Sequence, residues 1–163
     1  MKLKECAQYI AWIGILFFII GRLIPKKWLC YYKFPFRTFR FEEDGRIYKK
    51  LRVHDWQNKI PDMSKIFKKS MEPKKLRTGF MDHLPAMINE TCVAEAVHLA
   101  LCVAGLHCMA IWDGIGGVIC TLLNTAGNLP FILAQRYNRP RLVGLYEKCS
   151  SVSQREESKK CEL

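Results

Sequence analysis

An acid and an imidazole stand three residues apart, Glu95-Ala-Val-His98, inside a run that is otherwise apolar. On a helix the spacing i, i+3 puts both side chains on one face. A carboxylate beside an imidazole orients it, fixes its tautomer and stabilises its protonated form. His98 is therefore a candidate general base for a hydroxyl nucleophile. Thr91 and Cys102 prolong the same stripe, and Glu90, at the edge of the run, is an alternative base. Ionisable groups are costly in hydrocarbon, and those that a span keeps mark function or a buried partner. The plain alternative is a Glu–His pair that only holds helices together. Glu-x-x-His is also half of a di-iron carboxylate site, which needs a second copy and two further Glu. One copy occurs, so no metal is expected. His107 lies off this stripe and reads as a packing or interface histidine.

A second set follows. Asn124 and Asn128 are four apart, with Thr121 a turn earlier and Gln135 two turns later. They form one polar stripe that should face other helices rather than lipid. Two readings stay open: interhelical hydrogen bonding, or a polar groove that admits a headgroup. Pro130 removes one backbone bond and predicts a kink. Then comes Gln135-Arg-Tyr-Asn-Arg-Pro-Arg141. Arg rather than Lys at all three basic positions suggests planar, bidentate contact with phosphate or carboxylate. Asn138 and Pro140 predict a fixed turn after the helix.

The elements that hold these residues are apolar spans. About 20 such residues cross a hydrocarbon core of ~30 Å. Residues 7–24 contain no charge from Ala7 to Gly21, residues 92–111 are apolar except for Glu95, His98 and His107, and residues 114–135 carry no charge. The expected fold is an all-α integral membrane protein of about three transmembrane helices. The second and third spans make a tight hairpin with Trp112-Asp113 at its tip. GRLIPKK follows the first span where a small-residue cleavage site would stand, so that span reads as an uncleaved signal-anchor.

At 163 residues the chain has room for one domain. Half its residues are hydrophobic, yet its formal charge is +11. The charge lies outside the spans: residues 21–90 hold 17 Lys and Arg against 8 Asp and Glu. The positive-inside rule places this segment and the C-terminus in the cytoplasm of a multi-pass bacterial membrane protein, and the N-terminus and hairpin tip outside. Residues 25–90 mix aromatics with Lys and Arg, as in the headgroup layer. Spans on both sides exclude a nucleic-acid reading. Within the segment, EEDG at 42–45 reads as a turn and Ser64–Ser70 as a short basic amphipathic piece. The eight cysteines show no paired spacing and read as free thiols. Residues 143–163 read as a mobile polar tail.

Three spaced motifs resemble the glycosyl-4,4'-diaponeurosporenoate acyltransferase family, small membrane acyltransferases of staphyloxanthin biosynthesis. They are Asn128-x-Pro130 with Gln135-Arg-Tyr-Asn-Arg-Pro-Arg-Leu142, Glu90-Thr91-x-x-Ala94-Glu95-x-x-His98, and Val53-x-x-Trp56-x-x-Lys59-Ile60-x-Asp62. Ile24-Pro25 and Phe41-Glu42…Gly45 agree more weakly. The resemblance runs from about Arg22 to Leu142. It implies an enzyme that moves a fatty acyl chain onto a sugar hydroxyl of a glycosylated carotenoid or related glycolipid. The expected partners are the lipid bilayer, that acceptor and an acyl donor, acyl-CoA or acyl carrier protein, with no other cofactor. In this reading His98 is the base, oriented by Glu95. Arg136, Arg139 and Arg141 bind donor phosphates. Asn128, Gln135 and Asn138 position the sugar or the oxyanion, and Trp56, Lys59 and Asp62 close the site from the loop side. The rivals are a non-enzymatic membrane scaffold and a lipid-remodelling acyltransferase that uses a phospholipid donor.

Overall fold

The computed structural model describes residues 1–25, 28–60 and 80–161. The described residues form helices and turns, with no strand. The three long helices are α1 (Lys2–Leu23), α4 (Phe80–Gly105) and α6 (Ile115–Cys161). Between the first two lie a 3-10 turn at Arg40–Gly45, α2 (Arg46–Lys50), α3 (Val53–Trp56) and a second 3-10 turn at Gln57–Lys59. The short helix α5 (Cys108–Ile111) makes the hairpin tip. All three long helices are long and apolar enough to cross a membrane, as their sequence predicts. Asp62 and the Ser64–Ser70 piece lie outside the described residues.

α4 and α6 run antiparallel, and their register is set by polar contacts. Thr121 donates to the Gly105 carbonyl (3.1 Å), Asn124 to the Leu101 carbonyl (2.9 Å), and Asn128 meets His98 (2.8 Å). The Asn stripe therefore serves as interhelical bonding. It works because in an apolar medium an unpaired amide has no water to turn to. α1 lies antiparallel to α4: Tyr9 donates to the Ala104 carbonyl (2.9 Å), and Gly21 sits against Val93 and Val97. A Cβ at Gly21 would stand 2.7 Å from a Val97 methyl, so glycine there is a matter of close approach. At the far end Cys6, Cys108 and Cys120 form a small buried cluster of free thiols. His107 ring-packs against Tyr9 at 5.1 Å, an interface histidine as expected.

The C-terminal part differs from expectation. Instead of a turn at Asn138–Pro140, α6 continues through Pro130 and Pro140 to Cys161. Its 47 residues are about 70 Å long, twice a hydrocarbon core. Two causes act together. Helix nucleation is already complete upstream, so each added residue costs little, and the tail is rich in Glu, Lys, Gln and Arg, which are good helix formers. The turn before Pro140 is also pinned by tertiary bonds from Arg136, Asn138 and Arg139. The consequence for function is phase: Phe131, Gln135 and Asn138, at i, i+4 and i+7, share one flank of an unbroken helix.

α4 begins at Phe80, twelve residues before the expected span, with Pro85 near its start. The EEDG stretch is part of the first 3-10 turn. Tyr48 and Val53 pack on Tyr137 of α6, with Ile47, Trp56 and Leu133 around them. Residues 35–59 of the segment between the first two spans thus pack on the hairpin.

Candidate active site

Glu95 is fully buried, with both carboxylate oxygens occupied. Arg136 Nε donates to Oε1 at 2.7 Å, and the Arg139 guanidinium donates to Oε2 at 2.5 Å. Arg136 reaches on to Glu42 and to the Pro35 carbonyl (2.8 Å). Arg139 reaches Thr91 Oγ1 (2.8 Å), the Thr91 carbonyl (3.0 Å) and the Phe36 carbonyl (2.6 Å). Two carboxylates and two guanidiniums thus form a charge-balanced chain, Glu42–Arg136–Glu95–Arg139. It ties α4, α6 and the segment 35–48 together. Phe39 and Phe36 lie beside the two guanidiniums, 5.0 and 5.6 Å from their carbons.

This changes two expectations. Glu95 does not orient His98, although the two share a helix face. A charge-assisted bond to a guanidinium is stronger than one to a neutral imidazole, and two guanidiniums reach Glu95 from α6. Arg136 and Arg139, expected at a donor phosphate, turn their guanidiniums to Glu95, Glu42, Thr91 and backbone carbonyls. Arg139 is 3% exposed, and its N–H groups face the protein's own acceptors. Of the three arginines only Arg141 is exposed, 3.7 Å above the Tyr137 ring.

Glu42 is the member of this ionic chain that reads in the sequence as a turn residue. It is 2% exposed. It accepts from the Phe39 backbone N–H (2.8 Å), the Tyr48 hydroxyl (2.6 Å) and Arg136. Burial and the neighbouring Glu42 push the Tyr48 phenol well above its usual range, so it stays a donor. The signal in the sequence was an acid between aromatic residues in a strongly basic segment, which the turn reading absorbed.

His98 sits apart from this chain, on the flank of the hairpin. Its Nδ1 is 2.8 Å from Asn128 Oδ1, and its ring stacks on Phe131 at 4.4 Å, tilted by 14°. The tautomer follows from the amide. Asn128 Nδ2 donates to the Asn124 carbonyl at 2.8 Å and faces Asn124 Oδ1 at 3.3 Å. Oδ1 must then face His98, so Nδ1 carries the proton and Nε2 carries the lone pair. Among the described residues Nε2 has no partner, and every buried side-chain nitrogen or oxygen is satisfied, so Nε2 is open to a ligand. Asn128 thus does for His98 what Glu95 was expected to do.

Further along the same flank stand Gln135, half-buried, and Asn138, which donates to Gln57 Oε1 at 2.9 Å. That bond brings the Gln57–Lys59 turn to this side of α6, with exposed Lys59 at its end. Trp56 precedes the turn and donates to the Leu51 carbonyl (3.2 Å). Glu90 is half-buried on another face of α4, a single residue and so ~100° from Thr91. The structure therefore joins His98 to Asn128, and Asn138 to the Gln57–Lys59 turn, with Gln135 between them along α6. Glu95, Arg136 and Arg139 form the framework behind them.

The sequence profile of the glycosyl-4,4'-diaponeurosporenoate acyltransferase family matches residues 25–148. The chain belongs to this family. The matched region contains the whole ionic chain and the His98 flank. Among relatives, the glycosyl-4,4'-diaponeurosporenoate acyltransferase of Staphylococcus aureus strain MRSA252 is 30% identical over 143 residues, 86% of this chain and 85% of the relative. Its counterpart in strain N315 is 29% identical over 145 residues, with the same coverage. No solved structure gives a significant match. Family membership makes the chain an acyltransferase, and the scaffold reading falls.

Proposed function

We propose that this protein esterifies a sugar hydroxyl of a glycosylated carotenoid with a fatty acyl chain, at the cytoplasmic side of a bacterial membrane. The observation that carries the reading is His98, held by Asn128 in the tautomer with a free Nε2 lone pair, on the hairpin flank of a family acyltransferase. The acceptor hydroxyl gives its proton to Nε2 as its oxygen attacks the donor's acyl carbonyl. The tetrahedral intermediate collapses, the thiol of the donor leaves, and the imidazolium returns the proton to it. The products are the ester and the free thiol. A deep base suits this chemistry, since both substrates carry long apolar tails and enter sideways from the bilayer.

The donor is acyl-CoA or acyl carrier protein. With Arg136 and Arg139 engaged inside, its phosphate would meet Arg141 and Lys59, both exposed. They flank the Asn138–Gln57 bond, Arg141 one turn after Asn138 and Lys59 two residues after Gln57. The basic segment and the C-terminal end of α6 face the cytoplasm, where such donors are made, and the hairpin tip faces out. The positive-inside pattern supports this orientation.

The test is acyl transfer by membranes containing the protein, with labelled acyl-CoA or acyl carrier protein and a glycosylated carotenoid. Wild type should form the ester. His98→Ala at equal folded abundance should lose about 10²–10⁴-fold, the worth of a general base. An active His98→Ala would overturn the assignment. Transfer with phospholipid as the only donor would point to the lipid-remodelling reading instead.

A further inference from the structure

The flank that carries His98 holds a second polar group without a use inside the protein. Gln135 is half-buried, and among the described residues its amide has no hydrogen-bond partner. The other amides of α6 differ. Asn124 bonds to Leu101, Asn128 to His98 and Asn124, and Asn138 to Gln57. An unpartnered amide in a span is costly, because hydrocarbon offers it nothing to bond.

Its placement gives it a direction. Phe131, on which His98 stacks, is one turn before Gln135 on the same flank, about 6 Å along the axis. Side chains on a helix lean toward its N-terminus. α4 and α6 are antiparallel, so His98 leans toward the headgroup end while Gln135 leans inward. Both therefore lean toward the level of Phe131, His98 with a lone pair and Gln135 with a donor and an acceptor. A ring carrying several hydroxyls matches that pair, with one hydroxyl at Nε2 and another at the amide. The Phe131 ring, stacked on His98, adds an apolar surface at that level.

We infer that Gln135 is the specificity residue for the acceptor: it hydrogen-bonds a non-reacting sugar hydroxyl and so selects which hydroxyl meets His98. This rests on the acyl-transfer reading above. The experiment compares the glycosylated carotenoid with its monodeoxy analogues, each lacking one non-reacting hydroxyl, in wild type and in Gln135→Met. Methionine keeps the length of the side chain and removes both hydrogen-bonding groups. Wild type should discriminate against one analogue by about tenfold in kcat/KM, the worth of one hydrogen bond. In Gln135→Met that ratio should fall to about one while the others stay. Ratios within one preparation do not depend on how much protein folds. Unchanged ratios in Gln135→Met, or no discrimination by wild type, would overturn the inference alone. A wild type that acylates no glycosylated acceptor would overturn both it and the reading it rests on.

Discussion

Replacing Glu95 by Gln separates the two tasks that the Glu95–His98 spacing confounds. The carboxylate is fully buried and accepts from Arg136 at 2.7 Å and Arg139 at 2.5 Å. Each such charge-assisted bond contributes about 1.5–3 kcal/mol, so two give about 3–6. Removing one partner of a buried ion pair independently costs about 3–5 kcal/mol, because the other charge stays buried. Glu42 cannot compensate: its oxygens already serve Phe39, Tyr48 and Arg136, and Arg139 is left without a carboxylate. The glutamine NH2 would also point a donor at a guanidinium. The expected loss is therefore about 3–5 kcal/mol, or roughly 6–20 °C in Tm for a chain of this size. The assay is thermal unfolding of purified protein in detergent beside acyl-transfer turnover per folded molecule. His98→Ala should show the opposite pattern, a Tm within a few degrees of wild type and little transfer. If Glu95→Gln melts like wild type but loses turnover as His98→Ala does, Glu95 is a catalytic partner and the framework argument is refuted.

Other consequences can be measured with the same assays. Asn128→Leu removes the acceptor that fixes the His98 tautomer; turnover per folded molecule should fall on the order of a hundredfold, while stability falls by about 1 kcal/mol. Gly117→Ala should destabilise the hairpin tip by about 1–3 kcal/mol, read as a lower Tm. The added Cβ would collide with the Trp112 carbonyl and stand 2.8 Å from the Cys108 carbonyl and Met109 Cα, all backbone atoms that cannot swing aside.

By itself the sequence determined the three spans, because length and hydropathy alone decide whether a helix can cross hydrocarbon. It also marked the polar residues inside them, since few side chains in those runs can bond or titrate. QRYNRPR and Glu-x-x-His were visible as the unusual stretches, and the family resemblance followed from them. What the sequence left open was the partner of each group. Glu95 and His98 are neighbours by spacing, yet Glu95 turns to Arg136 and Arg139, 41 and 44 positions away. His98 turns to Asn128, 30 positions away. Glu42 reads as a turn residue until Arg136 arrives from 94 positions off. Pro140 reads as a stop until tertiary bonds pin the turn before it. A helix period fixes which side chains share a face. The antiparallel register of α4 and α6, and the segment packed on them, decide which charges meet, because strong bonds between distant groups override weaker ones between neighbours. That is why Arg136 and Arg139 meet Glu95 inside the protein while Arg141 stays exposed, and why an asparagine rather than the acid stands behind the histidine.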